Sequence, residues 1–372
     1  MRLFKETLYA RELEAVRASG RFREPTTLSE EAIDMASNDY LGLAHKKRLL
    51  KSACKKVASY PYHAPKSSMF VGGYHPIHKE FVDDLCRINR FEAGVVAGSG
   101  FLANLGLIEA LVRKKDVLFI DESYHASGIM ALGLVKGEVV TFNHNDPDDL
   151  LEKLAQKEVK GRRVVAVEGI YSMEGDILKR EVFDIAEWFG ALMLVDEAHS
   201  SGTVGKSLLG VFDHYDIKPT HLHIKMGTLG KAYGSYGAYI LGSKEVISFL
   251  HNRAKPLIYA TAPSLFDIAL AHESFNYINS KSGKLSKRVD KLKERVRKSL
   301  GFMPDGMIVP IGMPDIESGR RIKEALLKDG YEVGFIRPPT VKRPMLRVIL
   351  RTCVKRGEYR KLFERVKELL HG

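Results

Sequence analysis

The sequence has few features that would tie the chain to a membrane or to an oxidising compartment. Its longest apolar runs, such as Ala191 to Val195, are far too short for a bilayer span, which takes about 20 residues. The first residues alternate charged and apolar side chains and contain no hydrophobic core of a secretory signal. Cys54, Cys86 and Cys353 are widely scattered and form no C-x-x-C pair. We therefore expect a cytoplasmic protein with reduced thiols and without disulfides or a zinc site.

The composition is strongly basic. With 58 Lys and Arg against 46 Asp and Glu, the formal net charge is +12, an excess that could serve a nucleic acid, an anionic membrane or an acidic protein partner. The densest basic stretch, Lys284 to Leu300, carries apolar residues at helical spacing between its cations. This pattern is typical of a helix that packs on a core and turns a solvated basic face outward. We expect no nucleic-acid partner and no membrane partner.

The order of apolar and polar segments predicts an α/β protein. From about Arg90 onward, short apolar runs alternate with helical patterns, which predicts a mostly parallel sheet covered by helices on both faces. The predicted strands are Gly94–Ala97, Val117–Ile120, Val164–Val167, Leu192–Val195 and Leu222–Lys225. The helices predicted between them include Asn104–Lys114, Asp148–Lys157 and Phe183–Phe189.

The length of 372 residues suits one large domain and one smaller domain. We expect an N-terminal helix and arm over residues 1–40, with the helix over Met1–Ser19 closed by Gly20. A large domain over residues 41–265 and a small α/β domain over residues 266–372 then follow. The small domain is predicted from the basic helix, strands at Met307–Ile311 and Leu346–Leu350, and helices at Ser318–Lys328 and Glu358–His371.

The most informative motif is Thr228-Leu-Gly-Lys231-Ala-Tyr-Gly234, which follows a predicted strand. A lysine held in a glycine-rich turn can approach a cofactor closely, and Thr228 is placed to donate to a phosphate. The motif is not a P-loop, because Ala232 stands where that loop needs Ser or Thr. An ordinary surface lysine is the alternative interpretation of this motif taken alone.

Two further motifs lie at the carboxyl ends of predicted strands. Asp196 ends one strand in Leu194-Val-Asp196-Glu-Ala-His199, and His125 follows another in Asp121-Glu-Ser-Tyr-His125. Ligands of open α/β sheets bind at this edge, where a carboxylate could keep a pyridinium nitrogen protonated and an imidazole could stack on a flat ring. The Asp-Glu-Ala-His tetrad also occurs in nucleic-acid helicases, but this chain has no upstream P-loop.

A glycine-rich turn joins a predicted strand to a predicted helix in Ala97-Gly-Ser99-Gly100-Phe101-Leu-Ala-Asn104. Glycines there expose backbone N–H groups at a helix N-terminus, which suits a phosphate. The turn does not match the G-x-G-x-x-G dinucleotide fingerprint, so it gives no support for a nicotinamide cofactor.

In order and spacing, the four motifs resemble those of the α-oxoamine synthases, a branch of the fold-type I pyridoxal-phosphate transferases. The resemblance covers nearly the whole chain. It includes three further signatures: Ser37-Asn38-Asp-Tyr-Leu-Gly-Leu43, Glu168-Gly-Ile-Tyr-Ser172-Met-Glu-Gly-Asp176, and Ile336-Arg-Pro-Pro-Thr340 followed by Arg347. The resemblance implies an α/β fold with a mostly parallel large-domain sheet and a smaller C-terminal α/β domain. It also implies pyridoxal 5'-phosphate as cofactor and an acyltransferase that joins an amino acid to an acyl thioester with loss of carbon dioxide.

The resemblance assigns roles at the cofactor ring to five residues. Lys231 would form an imine with the cofactor, and its freed amine would later remove the α-proton of the amino acid. Asp196 would pair with the pyridine nitrogen, and His125 would stack on the ring. Ser172 and His199 would contact the ring hydroxyl.

The resemblance also assigns roles at the phosphate and at the amino acid. The residues expected to surround the phosphate are Ser99, Gly100, Phe101 and Thr228. Thr261 would reach the phosphate bound by a neighbouring subunit, which implies a homodimer with shared active sites. Asn38 and Arg347 would face the amino acid, with Arg347 holding its carboxylate through two hydrogen bonds.

One segment departs from the family pattern. Relatives usually carry a glycine-rich run ending in Gly-Ser-Arg or Gly-Thr-Arg where this chain has His63-Ala-Pro-Lys-Ser-Ser-Met69. The acyl donor and the choice between alanine and glycine are therefore less defined than the cofactor site. His75 and His78 form an H-x-x-H pair nearby without an evident third ligand, so we expect no metal.

Within the family, the compact length favours a member that joins L-alanine to a pimeloyl thioester carried on coenzyme A or acyl carrier protein. Glycine-using members, 2-amino-3-ketobutyrate ligase and 5-aminolevulinate synthase, are the alternative. A ligand-sensing protein of the same fold, without catalysis, is an alternative of a different class. It would need an attached DNA-binding module, for which this chain has no room.

Overall fold

The computed structural model describes residues 8–25, 27 and 31–371. The helices are α1 Ala10–Ala18, α2 Lys47–Ala58, α3 Pro76–Asn89, α4 Gly100–Leu111, α5 Ala126–Ala131, α6 Pro147–Gln156, α7 Arg180–Trp188, α8 Val211–His214, α9 Lys244–Arg253, α10 Lys255–Ile258, α11 Leu265–Leu300, α12 Ile316–Lys328 and α13 Arg356–His371. The strands are β1 Ile33–Asp34, β2 Ala93–Ala97, β3 Val117–Asp121, β4 Glu138–Phe142, β5 Arg163–Glu168, β6 Leu192–Asp196, β7 His223–Thr228, β8 Ala238–Gly242, β9 Ile308–Gly312, β10 Tyr331–Glu332, β11 Gly334–Ile336 and β12 Met345–Ile349.

The large sheet contains seven strands in the order β2-β8-β7-β6-β5-β3-β4. Strand β8 is antiparallel to both of its neighbours, and the other neighbouring pairs are parallel. Alternate residues of β3 belong to separate apolar clusters, with Val117 and Phe119 in one and Leu118 and Ile120 in the other. Because successive side chains of a strand point to opposite faces, this division shows that both faces of the sheet are covered.

A second sheet has the order β11-β12-β9 and is antiparallel. The N-terminal segment joins this part of the molecule, since β1 pairs with β10 in parallel and the Ile349 N–H donates to the Met35 carbonyl at 2.8 Å. Helix α11 is 36 residues long, and Gly301 ends it with a left-handed φ of 85°. The segment that contains Asn38 therefore lies beside the strand that contains Arg347.

The five predicted strands of the large sheet are present, each with at least one end shifted by one to three residues. Strands β4 and β8 were not predicted, and neither were the two helices before Arg90, α2 and α3. The helix predicted at Asn104 begins at Gly100, because the Ser99 side chain caps it by accepting from the Leu102 N–H at 3.2 Å.

The other predicted helices also differ in their bounds. The basic helix begins at Leu265 rather than Lys284. Of the helix predicted from Met1, the first seven residues lie outside the described part, and α1 begins at Ala10. The domain boundary near residue 265 stays a prediction. Among the described residues, no helix combines the length and the apolar character that a membrane span requires.

Candidate active site

The carboxyl ends of the parallel strands bring acidic side chains to one edge of the large sheet. Asp196 ends β6 and is buried with 4% of its surface exposed. Its Oδ2 accepts from the Asn104 side-chain amide at 2.7 Å, and its Oδ1 accepts from the Ala198 N–H at 2.9 Å. Two donors on a buried carboxylate stabilise its charge and fix its orientation.

His125 faces the same cavity from the N-terminus of α5. Its Nδ1 lies 2.7 Å from the Ser127 hydroxyl, which in turn accepts from the Asn104 amide at 2.9 Å. Burial lowers the pKa of His125, although the neighbouring Asp196 charge opposes this shift and Lys231 adds to it. An oriented, neutral imidazole can lie flat against the ring of a bound aromatic ligand.

Lys231 contacts a buried histidine. Its Nζ lies 2.6 Å from His199 Nε2, and the other ring nitrogen of His199 lies 2.6 Å from the Tyr40 hydroxyl. Burial and the nearby Lys231 cation hold the pKa of His199 well below its usual value, so the ring is neutral. The Tyr40 hydroxyl also reaches Asn38 Oδ1 at 3.2 Å.

This chain of contacts links the proton on Lys231 to the orientation of the Tyr40 hydroxyl. A neutral imidazole donates from one nitrogen and accepts at the other. If Lys231 is an ammonium, it donates to His199 Nε2, and Nδ1–H must then donate to Tyr40. If Lys231 is a neutral amine, it can accept from Nε2–H, and Tyr40 then donates to Nδ1.

The surroundings of Lys231 favour the neutral form of its amine. Burial lowers its pKa to about 8, and the Arg347 charge adds to this effect. The carboxyl group of Asp196 opposes it. An amine with a pKa near 8 is available both as a nucleophile and as a base close to neutral pH.

A glycine permits the close approach of the two loops that carry Lys231 and His199. Gly202 has a left-handed φ of 86°, and a Cβ at this position would clash with the side chain of Ala232. Any larger residue there would therefore push the His199 loop away from the Lys231 loop.

The glycine-rich turn and Thr228 form another part of the cavity wall. A Cβ at Gly100 would lie 3.7 Å from the Thr228 Cβ, so the two elements are in close contact. The N–H groups of Gly100 and Phe101 are in the first turn of α4, where a helix offers no internal acceptor. Such N–H groups attract anions, and phosphates in particular.

These elements enclose a cavity of about 180 Å³. Of the residues predicted from the sequence, those that line it are Gly100, Phe101, His125, Asp196, His199, Thr228 and Lys231. One cavity thus contains a lysine amine, a fixed carboxylate, an imidazole and a helix N-terminus. This set of groups fits pyridoxal phosphate, which has an aldehyde, a ring nitrogen, a flat ring and a phosphate.

Arg347 and Asn38 lie beyond Tyr40, next to this cavity. Arg347 Nε donates to the Ser172 carbonyl at 2.8 Å, and its NH1 group donates to Asn38 Oδ1 at 3.2 Å. Arg347 is buried. Ser172 is held here through its backbone, so the structure brings three more of the predicted residues together. Ser99 is outside the cavity lining, as the cap of α4.

Thr261 lies apart from the other predicted residues. It is exposed, and it is not among the cavity residues. Its segment is attached to the stretch that departs from the family pattern, since the Ala262 N–H donates to the Ser67 carbonyl at 3.0 Å. His78 Nε2 lies 2.8 Å from the Pro263 carbonyl oxygen.

The H-x-x-H pair has a structural role. His75 Nδ1 accepts from the Ile77 N–H at 3.2 Å and caps α3, while His78 Nδ1 accepts from the His75 N–H at 3.0 Å. His78 uses its remaining nitrogen on Pro263. Both nitrogens of His78 are therefore occupied by the backbone, and the pair does not offer a metal site.

A second cluster of possible ligands, Asp39, His45 and Cys353, is also explained by the protein itself. The guanidinium of Arg351 donates to Asp39 Oδ2 at 3.1 Å and lies 3.0 Å from His45 Nε2. A fixed cation already occupies the position between these groups, which disfavours a metal ion there.

Four polar residues of this site were not predicted from the sequence. Asn104, Ser127 and Glu168 line the cavity, and Tyr40 connects His199 to Asn38. Glu168 could have been found, because it ends a predicted strand in the same way as Asp196. Tyr40 gave no such signal, since its role depends on contacts with residues far away in the chain.

Comparisons with known proteins identify the family of this chain. The family model for aminotransferase class I and II matches residues 30–366. The 8-amino-7-oxononanoate synthase of Helicobacter pylori strain J99 is 40% identical over 344 residues, with 92% of each chain covered.

Two solved structures show the same fold. Serine palmitoyltransferase of S. paucimobilis, with a bound adduct of pyridoxal phosphate and myriocin, matches with a TM-score of 0.88 at 22% identity, covering 98% of each chain. The 8-amino-7-oxononanoate synthase of Francisella tularensis matches with a TM-score of 0.78 at 21% identity, covering 91% of this chain and 98% of that one.

The chain therefore belongs to the aminotransferase class I and II family. Within this family it is a pyridoxal-phosphate-dependent acyltransferase of the α-oxoamine synthase branch. The fold class, the cofactor and the family predicted from the motifs are confirmed.

Proposed function

We propose that this enzyme condenses L-alanine with a pimeloyl thioester, carried on coenzyme A or acyl carrier protein, to form 8-amino-7-oxononanoate in biotin biosynthesis. The main support is the 40% identity, over 92% of both chains, to an 8-amino-7-oxononanoate synthase. The site geometry supports the same reaction type, because an amine, a carboxylate and a guanidinium converge within one buried region.

At the cofactor, we assign the attachment of the aldehyde to Lys231 and the partner of the ring nitrogen to Asp196. His125 covers one face of the ring, and Ser172 and His199 contact its hydroxyl. When bound, pyridoxal phosphate supplies an electron sink for the bond that breaks at the α-carbon. Asp196 is suited to its role because two donors hold its charge in place.

At the phosphate, we assign Ser99, Gly100, Phe101 and Thr228. The N-terminus of α4 supports this assignment, because its N–H groups favour an anion. The exposed position of Thr261 agrees with a role toward the site of a second subunit, and we propose a homodimer on this ground. A cytoplasmic location stays a prediction from the sequence.

At the amino acid, we assign the carboxylate to Arg347 and Asn38. A guanidinium can hold a carboxylate through two parallel hydrogen bonds. Lys231, once its amine is free, takes the α-proton, and its lowered pKa of about 8 makes the neutral base available. The contact with His199 places a ring nitrogen beside the Lys231 amine that receives this proton.

Product identification tests the proposal most directly. The purified enzyme is incubated with L-alanine, glycine or L-serine, each paired with pimeloyl, acetyl or succinyl coenzyme A, and the products are identified by mass spectrometry. Pimeloyl-acyl carrier protein is tested in parallel. We expect L-alanine with a pimeloyl donor to give the fastest turnover.

The Lys231→Ala variant is the control for background condensation. Faster turnover of glycine with acetyl or succinyl coenzyme A would contradict the proposed substrates and favour a glycine-using relative. Binding of the cofactor without turnover of any pair would favour the ligand-sensing alternative.

A further inference from the structure

Glu168 is a buried carboxyl group that the proposed reaction leaves without a role. It ends β5 directly beside Asp196 on β6, and 1% of its surface is exposed. Its Oε2 accepts from the Ser172 N–H at 3.0 Å. Its Oε1 is buried and has no hydrogen-bond partner among the described residues. A buried oxygen without a partner is costly, so its presence beside a ligand cavity points to a ligand atom.

The two neighbouring carboxyl groups are unequally supported. Asp196 receives two hydrogen bonds, one from the Asn104 amide and one from a backbone N–H, whereas Glu168 receives only one. Two close carboxyl groups do not readily carry charge together, and the less supported one keeps its proton. Glu168 receives the single hydrogen bond, so we expect it to be the protonated group of the pair.

The charged groups around Glu168 support the same assignment. Burial raises the pKa of Glu168 well above its usual value, and the charges of Asp196 and Glu174 add to this effect. The Lys231 cation and the Ser172 N–H oppose it. Tyr40, Tyr124 and Tyr171 also face Glu168 and are themselves neutral, since burial raises the pKa of each hydroxyl.

We propose that Glu168 is a neutral carboxylic acid that donates a hydrogen bond from its free oxygen into the cavity, to an acceptor oxygen of the bound cofactor or substrate. This inference rests on the proposed cofactor site. The acceptor is either the ring hydroxyl oxygen of the cofactor or a carbonyl or carboxylate oxygen of a substrate. In both cases Glu168 is a donor and does not act as a base.

The Ser172 peptide gives Glu168 a second connection to the site. Its N–H donates to Glu168, and its carbonyl accepts from Arg347 at 2.8 Å. A change at Glu168 can therefore also affect the orientation of Arg347. For this reason a measurement of the proton on Glu168 itself decides the proposal, and the binding measurements locate the acceptor.

Three variants of the holoenzyme are compared. Glu168→Gln keeps the shape, the acceptor for Ser172 and a donor on the second atom, but it cannot ionise. Glu168→Leu removes both hydrogen-bonding atoms. Glu109→Gln is the matched control, because Glu109 is also buried with an oxygen that has no partner among the described residues, but it pairs with Lys255 at 2.8 Å outside the cavity.

Infrared spectroscopy of the holoenzyme reports the proton directly. We expect the C=O stretch of a protonated carboxyl group in the wild-type protein and in Glu109→Gln, and its loss in Glu168→Gln. A spectrum of Glu168→Gln in which no such band has disappeared would overturn the proposal. This measurement needs no substrate, so it stands even if the proposed alanine and pimeloyl substrates are wrong.

Ligand binding identifies the acceptor. The rate of cofactor release is followed by visible absorbance, and the Kd for L-alanine and the KM for the thioester are measured in parallel. We expect Glu168→Gln to stay within about twofold of wild type, and Glu168→Leu to be impaired roughly 5- to 20-fold, as for one lost hydrogen bond. Faster cofactor release in Glu168→Leu locates the acceptor on the cofactor, and weaker substrate binding alone locates it on the substrate.

Two results of the binding measurements would refute the donor role. One is a Glu168→Leu variant that matches wild type in all three measurements. The other is a Glu168→Gln variant as impaired as Glu168→Leu, since this would mean that the charge of the carboxylate is required.

Discussion

The hydroxyl of Tyr40 lends itself to a sharp test, because its removal changes one atom and breaks a defined contact. Tyr40 is fully buried, and its hydroxyl lies 2.6 Å from His199 Nδ1. Tyr40→Phe leaves that buried nitrogen without a partner, which costs about 1–3 kcal/mol. Since each ~1.4 kcal/mol is a tenfold change in rate, we expect kcat/KM to fall roughly 5- to 150-fold if this contact holds His199 against Lys231.

Tyr239→Phe is the matched control for this variant. Tyr239 is equally buried, and its hydroxyl lies 2.9 Å from the Ser201 hydroxyl, a pair outside the cavity lining. Both variants should lower the free energy of unfolding by a similar amount, measured by denaturant titration of the holoenzyme. Only Tyr40→Phe should lower kcat/KM. If Tyr40→Phe loses stability but keeps kcat/KM within about twofold of wild type, the hydroxyl has a structural role alone.

Three further predictions concern Lys231 and Asp196. Lys231→Ala should abolish turnover and the covalent link to the cofactor that borohydride fixes, and cofactor that borohydride still fixes to this variant would disprove the assignment. Asp196→Asn should still bind cofactor but lose most activity, because the variant lacks the negative charge that the two donors stabilise. Near wild-type rates in this variant would show that Asp196 has another role. Burial lowers the pKa of Lys231 to about 8, and the neutral amine is the form that acts as the base. The rate of α-hydrogen exchange of L-alanine should therefore rise with pH and level off near pH 8. A rise that continues to about pH 10, as for an ordinary lysine, would contradict this role.

The parts of the site that could be predicted from the sequence are those that lie at strand ends. Asp196, His125 and Lys231 each follow a short apolar run, and the rule that ligands bind at the carboxyl ends of parallel strands places all three at one edge. The structure brings them into one cavity. The same rule applied to the strand before Glu168 would have found that residue as well.

The parts that could not be predicted depend on pairing between distant segments. Strand β8 was missed, although its residues are buried throughout, because it directly follows the glycine-rich Lys231 motif and is only five residues long. The Tyr40 contact with His199 joins residues 159 positions apart. Neither the period of the apolar residues nor any local motif carries information about such a contact.

The spacing of the site residues along the chain has a consequence for the order in which the enzyme becomes functional as it is synthesised. Lys231 and His199 are 32 positions apart and Asn104 and Asp196 are 92 apart, whereas Asn38 and Arg347 are separated by 309. Contacts of long separation form late, and segments made first can fold first during translation. A nascent chain can therefore assemble the walls of the cofactor cavity well before Arg347 leaves the ribosome. The proposed amino-acid site is complete only once β12, which contains Arg347, has packed beside the N-terminal segment that contains Asn38.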